Sequence, residues 1–181
     1  MKKLLGIMVL LIVLVGSVAL ADEPFAGMKM YDAGQYKVGL DMDAGEYVLL
    51  TTSDYSGYFA VTSDPNGDDI LFNDNFAVNS IIEVRKGEYV ELSRCIAIEA
   101  SDFYSEYSIK EGLTGVMLRV GYDINPGEYK LVTTEAGRRG YYCIYNDARH
   151  DDIVANDNFE NSSYVSVRYG QYLILNRCKI K

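Results

Sequence analysis

Beyond the first two dozen residues, apolar positions recur at every second residue and nowhere hold a helical period. In GEYVLLTT, Tyr47, Leu49 and Thr51 share one face, and in GEYKLVTT, Tyr129, Leu131 and Thr133 repeat it. Each run predicts a half-buried strand. Tyr58-Phe59-Ala60-Val61 and Tyr141-Tyr142-Cys143-Ile144 predict a second strand. A polar turn follows, then a short strand entering Asn73-Asp74-Asn75-Phe76 or Asn156-Asp157-Asn158-Phe159. Further on, IIEV and YVSV precede the turns Lys86-Gly87-Glu88 and Tyr169-Gly170-Gln171, and YVEL and YLIL follow them. That order predicts a β-hairpin. The count is about five strands per copy and about ten in all, separated by turns at the spacing of an all-β fold.

These elements occur twice. VGLDMDAGEYVLLTT starts at Val38 and VGYDINPGEYKLVTT at Val120, and nearly half the positions of 36–96 are identical in 118–179 once one residue is inserted near 135–139. The expectation is an all-β chain, an antiparallel β-sandwich or jelly-roll-like fold in two tandem copies of a roughly 60-residue repeat, related by a pseudo-twofold. Either a joint core or two small stacked domains satisfies the pattern. A unit this short buries little apolar surface alone, so the second copy supplies the missing partner. The predicted division is 22–35 as an N-terminal segment, 36–98 and 117–181 as the copies, and 99–116 as a linker. In Asn125-Pro126-Gly127 the Pro-Gly pair predicts a type II turn. The Asp and Asn of NDNF fit left-handed backbone.

Lys2 and Lys3, an apolar run over 4–15 and the small residues of Ala19-Leu20-Ala21 predict a signal peptide over 1–21, cleaved before Asp22. The short Lys-Lys opening resembles bacterial signals. Formal charge is −9 for the whole chain and about −11 once that segment is removed. Such a chain is repelled by nucleic-acid phosphates and by anionic membranes, which argues against both as partners.

VGYDINPGEY, with NDNF and GQYLIL downstream, resembles repeats of secreted or surface β-repeat proteins of Gram-positive bacteria, over nearly all of 36–181. The resemblance implies an extracytoplasmic β domain and no catalytic activity. The first copy departs from it at Asp43-Ala44, where the proline is missing.

Candidate chemistry is sparse. His150 is the single histidine, its counterpart in the first copy is Gly67, and no G-x-S-x-G occurs. One histidine and three scattered cysteines make no zinc site. Cys95, Cys143 and Cys178 are read as buried thiols in preference to a Cys143–Cys178 bridge, because the position matching Cys143 is Ala60. No cofactor is expected. Asp64, Asn66 and Asp68 alternate oxygen ligands as a calcium loop does, but the second copy places Arg149 there, and an Asx-bonded turn accounts for the same residues. Asn161-Ser162-Ser163 fits a glycosylation sequon, of little weight in a bacterial host.

The tips that precede the second strand differ where everything around them matches. One carries Tyr55 and Tyr58, the other Arg138, Arg139 and Tyr141. Tyrosine and arginine on loops of a rigid scaffold are favoured contact residues, so these five are the candidate ligand-binding set. The expected function is a secreted or cell-surface, non-catalytic binding module for a wall glycan or an extracellular protein. A self-assembling envelope protein is the alternative, and a carboxylate-dependent hydrolase ranks below both.

Overall fold

The computed structural model describes residues 24–181; the proposed signal segment 1–21 lies outside the described residues. No helix among the described residues is long and apolar enough to cross a membrane.

The architecture is all-β. The first copy contains β2 (Gly34–Lys37), β3 (Gly45–Thr51), β4 (Gly57–Thr62), β5 (Ile70–Phe76), β6 (Asn79–Val84), β7 (Tyr89–Ser93) and β8 (Cys95–Glu99), preceded by β1 (Met30–Tyr31). A short helix, α1 (Ala100–Glu106), leads to β9 (Val116–Arg119), β10 (Gly127–Thr133), β11 (Gly140–Tyr145), β12 (Ile153–Phe159), β13 (Ser162–Val167), β14 (Tyr172–Asn176) and β15 (Cys178–Ile180). They form four antiparallel sheets, ordered β2-β7-β4-β5, β1-β8-β3-β6, β12-β11-β14-β9 and β13-β10-β15. Apart from β1, which has no counterpart, the last two sheets repeat the strand order of the first two.

Fifteen strands among the described residues replace the expected ten. The additional ones include β2 and β9, which precede the Val-Gly turn, and β8 and β15, which follow the Arg-Cys pair. Arg94 and Arg177 hide the last two: their φ values of 57° and 53° fold the chain from one sheet to the next in a single left-handed residue. Their side chains reach carbonyls, Arg94 Nε to Ser56 O at 2.7 Å and Arg177 Nε to Arg139 O at 3.1 Å. Cys95 and Cys178 beside them are fully buried.

The turn at 85–88 joins strands of different sheets, so β6 and β7 are not the expected hairpin. The Gly87 N–H and the Glu88 carbonyl bond instead to Val38. The paired hairpins are β4–β5 and β11–β12. Gly45 and Gly127 sit at φ 159°, away from the roughly 80° of a type II turn. The left-handed glycines of that region are Gly39 and Gly121, where a Cβ would meet the Lys86 or Tyr169 side chain. NDNF lies in extended strand in both copies, not in left-handed backbone.

The four sheets stack in the order β2-β7-β4-β5, β1-β8-β3-β6, β12-β11-β14-β9, β13-β10-β15. Tyr47, Leu49, Phe59, Val61, Val90 and Ala97 fill the first sandwich. The opposite face of β3 is buried too, since Val48, Leu50, Ile81 and Ile98 join Phe103 of α1 and Met117 in a core that continues through the second copy. β3 is therefore buried on both faces rather than one, whereas the outward positions of its counterpart β10 are exposed at Glu128 and half-buried at Lys130 and Val132. The copies share a continuous core, and unlike faces meet across the seam. That is a head-to-tail arrangement, not the expected pseudo-twofold.

Edge strands at the seam are closed by side chains and turns of the other copy. Asn79 mimics a strand pair, donating from Nδ2 to Met117 O at 2.8 Å and accepting from Met117 N at 3.1 Å. On β6, Glu83 N donates to Ala148 O at 2.9 Å, Glu83 O accepts from Arg149 Nη1 at 3.2 Å, and Ile81 O lies 3.1 Å from His150 Nε2. Asn79→Ala leaves two buried Met117 backbone groups without partners, so a loss of about 1–3 kcal/mol is expected. A lower urea midpoint at unchanged slope is the readout.

The two ends of the stack are polar. Beyond β2-β7-β4-β5 lie Gln35, Lys37, Glu91 and Asn73, all exposed, and beyond β13-β10-β15 lie Lys179 and the exposed Tyr164 and Lys181.

Candidate functional site

The seam is not closed along its whole length. A cleft of about 650 Å³ opens between β5 of the first copy and the β11–β14 face of the second. Its floor carries Tyr141, Tyr145, Ile174 and Asn176. One wall is the whole run 71–77, including Asn73, Asp74 and Asn75, and His150 and Asp151 stand at one end. Among the described residues no lysine or arginine lines it.

The turn that delivers His150 has the same scaffold in both copies. The Asp147 carboxylate accepts N–H bonds from Arg149, Asp151 and Asp152 at 3.0–3.2 Å. The Asp64 carboxylate does this for Asn66 and Asp69 at 2.8 and 2.7 Å. His150 and Gly67 both take left-handed backbone, φ 61° and 80°. What differs is the outward cargo. Arg149 meets Glu88 through both carboxylate oxygens at 3.2 and 2.9 Å. The His150 ring stacks on Tyr145 at 5.2 Å and meets the Phe59 ring edge-on at 5.7 Å.

Burial dominates the electrostatics. It raises the Asp74 carboxyl above its ordinary range, with the Asn75 N–H and His150 opposing. It also lowers the His150 imidazole, with the Ile81 carbonyl and Asp74 opposing. The Tyr141 hydroxyl is pushed up to about 12, chiefly by burial, with Cys143 and Asp74 adding to it. The cleft thus presents the rings of Phe72, Phe76, Tyr141 and Tyr145, side-chain amides and carboxyl groups, and among the described residues no lysine or arginine.

β5 adds a second recognition element. Val38 N donates to Glu88 O, which fixes the hydrogen-bond phase across β2-β7-β4-β5. Counting through the register, Phe72, Asp74 and Phe76 turn their backbone groups to β4, and Leu71, Asn73 and Asn75 turn theirs to the open edge. The Asn75 N–H is taken by Asp74 Oδ1 at 2.7 Å. β5 has β4 as its single neighbour, so the remaining edge groups face the cleft.

Of the five sequence-derived candidates, Tyr141 lines the cleft. Tyr55 is 77% exposed on its tip. The Tyr58 hydroxyl accepts from Asn73 Nδ2 at 3.2 Å. Arg138 pairs with Glu135 at 3.3 Å and Arg139 with Glu160 at 3.0 Å. Asp64 and Asn66 are tied into the Asx-bonded turn described above, beside Asp68. Among the described residues no group of three or more His, Cys, Asp or Glu side chains converges to hold a metal ion. Sequence reasoning did not single out Asp74, Tyr145, Asn75 and Asn176 as a binding set. The available signal was that outward positions Ala60, Thr62 and Glu91 become Cys143, Tyr145 and Ile174 in the second copy.

A smaller recess of about 410 Å³ lies elsewhere on the seam, between Glu46, Glu99, Tyr104 and Arg119. There Arg119 Nη1 lies 3.0 Å from Glu46 Oε1, an ion pair whose geometry is not that of a hydrogen bond. Tyr172 donates to Glu46 Oε2 at 2.6 Å. These groups fasten the copies together.

The three cysteines are free and buried. Burial pushes the Cys95 and Cys178 thiols up to about 11. At pH 8 each is therefore about one part in a thousand thiolate. Intact mass after iodoacetamide at pH 8 is expected to show no label on the native chain and three labels after unfolding. Labelling of the native chain would contradict this burial.

Comparison with known protein families, with curated proteins and with solved structures finds no match.

Proposed function

We propose that the mature chain is a secreted or cell-surface, non-catalytic binding module whose ligand, a wall glycan or an extracellular protein, seats in the cleft between the copies. The observation that carries this reading is the cleft itself, with Tyr141 and Tyr145 half-exposed beside an open strand edge. Aromatic faces together with a few convergent polar groups are the usual composition of a ligand site. The signal peptide and the resemblance to Gram-positive surface repeats support the extracytoplasmic setting.

The test is a pull-down of 22–181 on insoluble cell wall, on a polysaccharide panel and on extracellular protein extract. Saturable retention that falls at least tenfold in Tyr145→Ser and survives Arg138→Ala with Arg139→Ala supports the cleft. Retention lost in the arginine pair alone moves the site to the tips. Absence of retention, with mass rising as concentration rises, favours the self-assembling alternative.

Asp74 and Asp151 both line the cleft, which keeps the carboxylate-dependent hydrolase as a second reading. Release of reducing ends from wall glycan, abolished by Asp74→Asn, would carry it. Retention without release leaves the binding module standing.

A further inference from the structure

The edge of β5 beside the seam is open. At the seam the edges of β6 and β9 are closed by Ala148, Arg149, His150 and Asn79. β5 carries seven residues, about 20 Å of strand, with no lysine or proline to blunt it. Its residues 71–76, and Ala77 after them, all line the cleft. Ile70 and Leu71 remain 48% and 42% exposed on it. A strand with unpaired backbone groups and exposed apolar side chains is a template for strand addition.

Building on the cleft reading, we propose that the ligand is an extended, cationic peptide segment that adds to β5 as a fifth strand. Main-chain bonds to the N–H and C=O groups of Leu71 and Asn73 and to the Asn75 carbonyl would hold it. Alternate side chains then point into the cleft, toward Asp74, Asp151 and the tyrosine floor. With two carboxyl groups and no lysine or arginine in the lining, and −9 on the chain, lysine or arginine fits those alternate positions. β12 provides an internal control. It repeats the NDNF edge, but among the described residues none packs beyond it to make a cleft. One site per chain follows.

The experiment is selection from a random nonapeptide display library on immobilised 22–181, with the polysaccharide panel run in parallel. Enriched peptides are expected to carry Lys or Arg at alternate positions and to bind one per chain. Asn73→Pro removes an N–H facing the open edge and is expected to weaken them at least tenfold. Asn156→Pro, the same change on β12, is expected to leave them unchanged. Circular dichroism melts show whether each variant folds; if Asn73→Pro does not, backbone N-methylation of the selected peptide at alternate residues gives the same test from the other side. Peptides that bind Asn73→Pro or their N-methylated forms equally well overturn strand addition. Polysaccharide retention lost in Tyr145→Ser, with no peptide enriched, overturns the peptide and leaves the cleft reading intact. Binding of neither class overturns both.

Discussion

Arg149→Ala is expected to destabilise the chain by about 3–5 kcal/mol, the usual consequence of removing one partner of a buried ion pair. The side chains of Arg149 and Glu88 are 10% and 13% exposed, so the pair is largely withdrawn from water. The guanidinium also donates to Glu83 O and lies 4.9 Å from the centre of the Phe72 ring. Truncation leaves the Glu88 carboxylate and the Glu83 carbonyl short of a donor at the seam. A double-mutant cycle with Glu88→Gln, read in urea, isolates the pair from the lost packing. A loss below 1 kcal/mol would mean that the turn rests on β6 without fastening it.

Separating the copies is expected to have a larger effect still. A chain ending at residue 98 exposes Val48, Leu50, Ile81 and Ile98, all buried in the intact protein. Contiguous apolar surface of this kind drives association. Light scattering should therefore find residues 24–98 aggregated where 24–181 is dispersed. The second copy supplies a correction, since it places Lys130, Tyr164 and Lys181 where the first has Val48, Ile81 and Ile98. Val48→Lys with Ile81→Tyr and Ile98→Lys should return the isolated copy toward a monomer. A soluble, monomeric unsubstituted fragment would show that the seam adds little.

The all-β class was legible in the sequence because period-two runs such as Tyr47, Leu49 and Thr51 face inward as the pattern requires. Strand number was not, because Arg94 and Arg177 mark sheet crossings with one residue, and no propensity signals a left-handed arginine. Which faces meet was also hidden while each copy was read by itself. Val48 and Leu50 look like the outer face of a half-buried strand until Lys130 stands beside them. The cleft escaped for a related reason. Asp74 and His150 lie in different copies, and their approach follows from how the copies pack, which a repeat alignment does not encode. Tyr141 was found only because it adjoins a variable tip.

Because the front of one copy meets the back of the next, the contact that joins the two has the geometry of a polymer. Nothing in its symmetry closes it, and a third unit bearing the second copy's β9–β14 surface would fit on a repeat bearing the first copy's outer face. The two outer faces of the described residues are chemically unlike this joint: Lys130, Tyr164 and Lys181 lie on one, and Gln35, Lys37, Glu91 and Asn73 on the other. Which faces can join is thus written into a handful of outward side chains, and a further joint of the same kind would need those positions exchanged.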